Sequence, residues 1–136
     1  MASNKGHGDG VLPELGITEA ITTAANGVFT AQISQDDVFN KVVTITSGGA
    51  TQYAVLPKAV AGLIGRIIYL TVGANGYELV TPDASGDTIN AVDSDGTNQL
   101  DVAASTTVRC TQISATGWLA ETIAAATIVV TAPDND

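Results

Sequence analysis

Turn signals divide this chain into short segments, and their spacing limits the folds that those segments can form. Between Val55 and Trp118 the signals recur about every 10 residues, a spacing typical of an antiparallel β-sandwich or barrel. The clearest signals are the pairs Asn75 with Gly76 and Asp95 with Gly96. Such pairs favour tight hairpins because both central residues can adopt a positive φ.

The segments between the turns are rich in β-branched residues, which favour strands. Residues 41–46 are the clearest case, because Val43 and Ile45 alternate with residues that would face the other way. Residues 66–72 are apolar on both faces, which predicts a central strand covered on both sides. The predicted strands are residues 28–33, 41–46, 52–56, 66–72, 76–81, 87–92, 99–103, 105–113, 117–123 and 127–131.

We therefore expect an all-β chain, an antiparallel β-sandwich or barrel with an extended N-terminal arm. Residues 1–25 are the predicted flexible arm, 26–131 the β-domain and 132–136 an acidic C-terminal tail. Only residues 18–25 and 58–61 favour a helical turn. At 136 residues the chain has the length of one domain, which can bury a core without metals or crosslinks.

The low charged fraction predicts that part of the surface is covered. Charged residues make up 14% of the chain, against roughly 25% in typical soluble domains. Hydrophobic residues reach 45%. With so few charges, much of the surface of a small monomer would be apolar. We therefore expect other subunits or a partner to cover part of that surface.

The sign of the charge and the absence of an apolar span exclude other partners. The formal net charge is −9, and an acidic chain repels phosphate backbones, which argues against nucleic acid. No run reaches the roughly 18 apolar residues of a membrane span, and the first ten residues lack an apolar signal core. The single cysteine, Cys110, precludes an intramolecular disulfide.

Residues that could carry catalysis are poorly supported by their neighbours. His7 lies in a glycine-rich tail, where no fixed partner can orient a general base. Cys110 is expected to be a buried structural thiol, with Arg109 facing the opposite way. Carboxylates are plentiful, but no spacing singles out a pair for glycoside cleavage. We therefore expect no enzyme activity, no cofactor and no catalytic or metal-binding residue.

Two features leave a binding role open. Asp93, Asp95 and Gly96 resemble the start of a calcium loop, but the later acidic ligands are missing and the flanks favour strands. A polar turn is the simpler interpretation. Trp118 and Tyr77 could stack on a sugar, although single aromatic residues in such a chain are more often core or interface residues.

About half of the chain resembles a β-module of tailed-bacteriophage virion proteins, among them head decoration proteins, head fibres and tail-fibre pieces. The resemblance is a pattern of turns and apolar positions. It rests on Leu56 and Pro57 before Ala61 and Gly62, residues 67–70 before residues 73–76, Thr81 and Pro82 with residues 85–89, and residues 106–108 before Gly117 and Trp118.

This resemblance implies a homotrimeric, non-enzymatic structural protein of the virion. Because the chain is short and begins with Met1, it is expected to be a capsid decoration (cement) protein. Such a protein would bind the outside of a phage head and stabilise it by bridging neighbouring major capsid proteins. The alternative is a head- or tail-fibre domain that recognises a host-surface glycan. No residue in the sequence identifies a capsid contact.

Overall fold

The structure, a computed structural model, describes residues 16–96 and 98–123, and this part of the chain is β-structure with one turn of 3₁₀ helix at Ala61–Leu63. The expected all-β class is therefore confirmed. The strands are β1 (Ile17–Thr22), β2 (Asn40–Thr46), β3 (Tyr53–Val55), β4 (Ile67–Val72), β5 (Tyr77–Val80), β6 (Thr88–Ile89), β7 (Val92–Asp93), β8 (Leu100–Val102), β9 (Thr107–Ser114) and β10 (Gly117–Ile123).

These strands form two sheets with one main core between them. The large sheet has the order β1-β2-β4-β9-β10-β6-β7, and the small sheet has the order β3-β5-β8. Val43, Ile68 and Cys110 of the large sheet share a buried cluster with Leu79 and Val102 of the small sheet. A smaller cluster of Tyr53, Val55 and Val80, with Phe29 packed on it, lies on the other side of the small sheet.

The first half of the described chain winds as a solenoid. β1, β2 and β4 pair in parallel in the large sheet, and β3 pairs in parallel with β5 in the small sheet. Gln32, which precedes β2 in the chain, forms an isolated parallel bridge with Val55 of β3. The chain therefore passes from one sheet to the other and back, and each pass stacks on the one before. Stacked units of this kind bury a shared core that none could bury alone.

The predicted antiparallel sandwich or barrel is therefore wrong for the solenoid part. Asn75 and Gly76 do not close a hairpin, because β4 and β5 belong to different sheets. Gly76 does not adopt a positive φ. It is required for space, since a Cβ there would overlap the carbonyl oxygen of Val102. A tight turn that changes sheets has the same local sequence as one that closes a hairpin.

Antiparallel strands cover the end of the solenoid. β9 pairs with both β4 and β10, and β8 pairs with β5. The predicted strand 87–92 is instead the short hairpin of β6 and β7. Asn90 and Ala91 form its turn with φ values of 53° and 66°, as a tight two-residue turn requires.

Two further predictions near the N-terminus are wrong. Residues 18–25 do not form a helical turn, because Ile17, Glu19 and Ile21 alternate with exposed residues and form strand β1 within the predicted arm. Residues 28–33 are not a ladder strand. They contribute backbone bonds to β3, such as that from Ile33 N–H to Val55 O, and the side chain of Phe29 packs on Tyr53 of β3. The strand predicted at 127–131, most of the arm and the acidic tail lie outside the described residues.

Candidate functional site

The side chains of the large sheet that point away from the core form a continuous surface, which we call the outer face. It crosses β1, β2, β4, β9 and β10, and the strand register aligns its side chains in three rows. The rows are Asn40, Ile67, Thr111 and Leu119; Thr18, Val42, Tyr69, Arg109 and Glu121; and Ala20, Thr44, Thr71, Thr107 and Ile123.

Period-two patterning produces this face. In β2, Val43 and Ile45 are buried, whereas Val42 and Thr44 are exposed, as the sequence predicts. In β4 the outward Ile67 and Tyr69 are only half-buried, although the strand is central in its sheet. The outward residues therefore form a surface rich in β-branched residues that also carries large apolar groups.

The outer face is nearly free of charge. Arg109 Nη2 donates to Glu121 Oε1 at 3.0 Å, and this is the one ion pair among the aligned residues of the three rows. Both side chains are more than two-fifths exposed, so the pair contributes little to folding stability. Val42, Leu119 and Ile123 are each exposed over 38–44% of their surface. Three large apolar side chains therefore lie exposed on a nearly uncharged sheet face.

Apart from Glu121, the acidic residues of the described chain lie off the three rows of the outer face, and most of them are on the loops and on the small sheet. In the described part of the chain the four Lys and Arg residues are all engaged by this chain's own acceptors. Acidic residues without an ion-pair partner in that part are Asp37, Glu78, Asp83, Asp93, Asp95 and Asp101. The unpaired acidic residues of the described part therefore lie outside the three rows of the outer face.

A buried ionic cluster joins the first turns of the solenoid. Lys41, 2% exposed, donates from Nζ to Glu19 Oε1 at 2.9 Å, Asp36 Oδ2 at 2.7 Å and Ser34 O at 3.2 Å. Because Glu19 lies on β1 and Lys41 on β2, the cluster fixes two successive turns to one another. Its lysine is enclosed and fully bonded, so the arrangement is that of a structural clamp.

Arg66 plays the same role one turn further along. Its guanidinium donates to Gln112 Oε1 at 2.9 Å and to the backbone carbonyls of Asp36 and Lys58, and it lies 4.9 Å from the centre of the Trp118 ring. Burial lowers the pKa of Arg66, and the opposing effects of nearby carboxylates do not compensate. The fully buried Asp87 accepts from Lys58 Nζ and Ala59 N–H, both at 2.8 Å.

Three candidate residues from the sequence, Cys110, Trp118 and Tyr77, lie in the buried core. Cys110 is completely buried, burial raises the pKa of its thiol, and Arg109 points to the opposite face, as predicted. Trp118 and Tyr77 are both 0% exposed, so the suggestion that either stacks on a glycan is wrong. His7 lies outside the described residues.

The segment that resembles the start of a calcium loop forms a turn with hydrogen bonds within the turn and to Gly86. Asp93 Oδ1 accepts from the N–H of Asp95 at 3.3 Å, and Asp95 Oδ2 accepts from Gly86 N–H at 2.7 Å. The hydrogen bond from Gly86 N–H, followed by a side-chain hydrogen bond with Asp93, lowers the pKa of Asp95. Among residues 16–96 and 98–123 no group of three His, Cys, Asp or Glu side chains is placed to hold a metal.

Sequence reasoning missed a carboxylate pair on the small sheet. Glu78 of β5 lies directly opposite Asp101 of β8 and beside a surface depression of 420 Å³. A signal was present, because Glu78 is the single charged residue in the otherwise apolar strand Tyr77–Val80. Its pairing with a second acid depends on the register of a distant strand, which the sequence does not reveal.

Comparison with known proteins gives no relative from which a role can be transferred. No protein-family model, no curated protein and no solved structure matches the chain. Within the described part, no helix has the length and apolar character needed to cross a membrane.

Proposed function

We propose that this chain is a structural protein that associates with copies of itself through the outer face of the large sheet. In this proposal it is a homotrimeric capsid decoration protein on the outside of a tailed-phage head, where it bridges neighbouring major capsid proteins. It acts without catalysis, cofactor, nucleic acid or membrane. The trimeric state and the capsid partner come from the sequence resemblance, and self-association is argued from the outer face.

The outer face is the observation that supports self-association. Exposed Val42, Leu119 and Ile123 lie among threonines across neighbouring strands, with a single exposed ion pair. Stable interfaces remove about 800 Å² from each partner and are depleted of charge at their centres. A five-strand face of mostly uncharged residues has the chemistry of such a centre.

The rigid solenoid also suits a protein that only binds. Its two buried cations, Lys41 and Arg66, are 2% and 1% exposed and are held by hydrogen bonds within the body. A cement protein needs a stiff body that presents repeated contacts, since many weak contacts around a closed assembly add to a strong one. The glycan-binding alternative has lost its two candidate residues, because Trp118 and Tyr77 belong to the core.

Light scattering after size-exclusion chromatography tests self-association. The wild type is expected to elute as a trimer. Val42→Glu adds a charge at the centre of the outer face and should shift the molecule to monomer. The matched control is Val28→Glu, at a position 40% exposed on a loop outside the outer face, which should remain trimeric. A wild type that stays monomeric at high concentration would refute the proposed interface.

Binding to heads tests the capsid role separately. The chain should co-sediment with expanded tailed-phage heads that lack their decoration protein, and should raise the temperature at which those heads disrupt. Val28→Glu should retain this activity if its loop is outside the contact. A trimer that fails to bind heads would retain the self-association proposal and refute the capsid role.

A further inference from the structure

A depression of 420 Å³ lies on the small sheet, away from the outer face. We call it the acidic depression. One wall carries two carboxylates, Glu78 and Asp101, and the other walls are mainly alanine and backbone from two loops. Among the residues that line it are Ala50, Thr51, Gly76, Glu78, Asp101 and Ala103.

Glu78 is the unusual residue in this depression. It is 8% exposed, and in the described part of the chain no hydrogen-bond donor or cation contacts its side chain. Asp101 lies directly opposite it in the β5–β8 register. Like charges at directly opposite positions destabilise a sheet, so this arrangement opposes folding unless a cation lies nearby. Burial, followed by the charge of Asp101, raises the pKa of Glu78.

The size and lining of the depression indicate which cation would fit. A bare Ca²⁺ needs six to eight oxygen ligands, and here two carboxylates face a space much larger than an ion. A lysine or arginine side chain has an aliphatic stem that packs on apolar walls and a charged head that donates hydrogen bonds. The alanine walls match the stem, and the paired carboxylates match the head.

We propose that the acidic depression binds a lysine or arginine side chain from a basic segment of a partner protein. The described cations of this chain cannot supply it, because Lys41, Lys58, Arg66 and Arg109 are engaged elsewhere. The site does not depend on the outer face, so it can exist whether or not the chain self-associates.

Nuclear magnetic resonance titration tests this proposal on the isotopically labelled chain. The probe is a blocked hexapeptide of alternating alanine and arginine, and its citrulline analogue is the uncharged control. The arginine peptide should give saturable shifts of the Thr51, Gly76 and Ala103 amides. Replacing both carboxylates, Glu78→Gln with Asp101→Asn, should weaken binding about tenfold or more, since hydrogen bonds to charged groups are lost.

Two further variants separate the site from general acidity and from misfolding. Asp83→Asn removes one exposed acid outside the depression and should change the affinity less than about twofold. Ala50→Trp fills the depression from an exposed loop while retaining both carboxylates, and it should abolish the localised shifts.

Four results would overturn the proposal. The first is a set of shifts spread over all the acidic loops, and the second is unchanged affinity in the Glu78→Gln, Asp101→Asn variant. The third is Ca²⁺ alone giving the same localised shifts at lower concentration than the peptide, because the site would then be a metal site. Equal binding of the citrulline analogue would show that charge does not determine recognition and would overturn it as well.

Discussion

Replacing Lys41 by methionine should be one of the most damaging single changes in the solenoid. Lys41→Met keeps the length and apolar stem of the side chain but removes three hydrogen bonds from Nζ. It leaves the carboxylates of Glu19 and Asp36 without their cation. Breaking a buried pair by removing one partner costs about 3–5 kcal/mol. Glu19 and Asp36 retain 18% and 31% side-chain exposure, so water compensates in part and the lower value, about 3 kcal/mol, applies.

Equilibrium urea unfolding and calorimetry would measure this loss. A change of about 3 kcal/mol corresponds to a fall in Tm of roughly 10 °C for a domain of this length. Arg109→Met is the matched control, because it also removes a cation and an ion pair, but both partners are exposed. It should cost less than about 1 kcal/mol. Measurements at two protein concentrations would separate folding from self-association.

Removing the two carboxylates that Lys41→Met leaves without a cation should restore stability. Glu19→Gln and Asp36→Asn, combined with Lys41→Met, remove the stranded carboxylates and should recover at least half of the lost stability. Hydrogen exchange should show faster opening of β1 in Lys41→Met than of β9, because the cluster joins β1 to β2. An equal loss of stability in Lys41→Met and Arg109→Met would contradict the stabilising role of the buried Lys41 cluster. So would a triple variant that is less stable than Lys41→Met alone.

Two further substitutions and one measurement of thiol reactivity test particular contacts. Gly76→Ala should destabilise the fold by about 2 kcal/mol, because its Cβ would collide with the Val102 carbonyl, whereas Gly73→Ala in the same turn has open space and should be near neutral in thermal unfolding. Glu78→Gln should stabilise the fold at neutral pH by about 0.5 kcal/mol by removing like-charge repulsion. Because the pKa of Glu78 is raised on folding, the native state of the wild type binds more protons than the unfolded state, and the stability of the wild type falls as pH rises through that pKa. The extra stability of Glu78→Gln, measured by urea unfolding, should therefore vanish below about pH 4. The thiol of Cys110, buried and with a raised pKa, should react with a disulfide reagent only at the rate of unfolding, and rapid reaction of the native protein would contradict its burial.

Local sequence patterns were sufficient to locate most strands. The alternation around Val43 and Ile45 and the apolar run before Val72 gave β2 and β4 nearly to the residue, because side-chain period depends only on the strand itself. The same patterns did not reveal that β2 and β4 pair in parallel. Pairing direction depends on which distant strand lies alongside, and the turn at Gly76 is compatible with either outcome.

The sequence predicts the outer face and the acidic depression only in part. The alternation identified Val42 and Thr44 as facing away from the core, but their alignment with Tyr69 and Arg109 required the strand register. β1 was missed because the helix-favouring Glu19 and Ala20 obscured a period-two pattern. In the structure Glu19 is bonded to Lys41, a contact between turns that no local pattern predicts.

The distribution of charge makes the two proposed surfaces respond to salt in opposite ways. Copies of a chain with a net charge of −9 repel one another, and the outer face has almost no charges with which to offset this repulsion. Screening should therefore strengthen self-association between about 50 mM and about 500 mM NaCl, as measured by sedimentation equilibrium. Binding of the arginine peptide at Glu78 and Asp101 relies on attraction between charges and should weaken over the same range. If added salt instead dissociated the assembly, charged contacts would hold the subunits together, and the outer face would not be their interface.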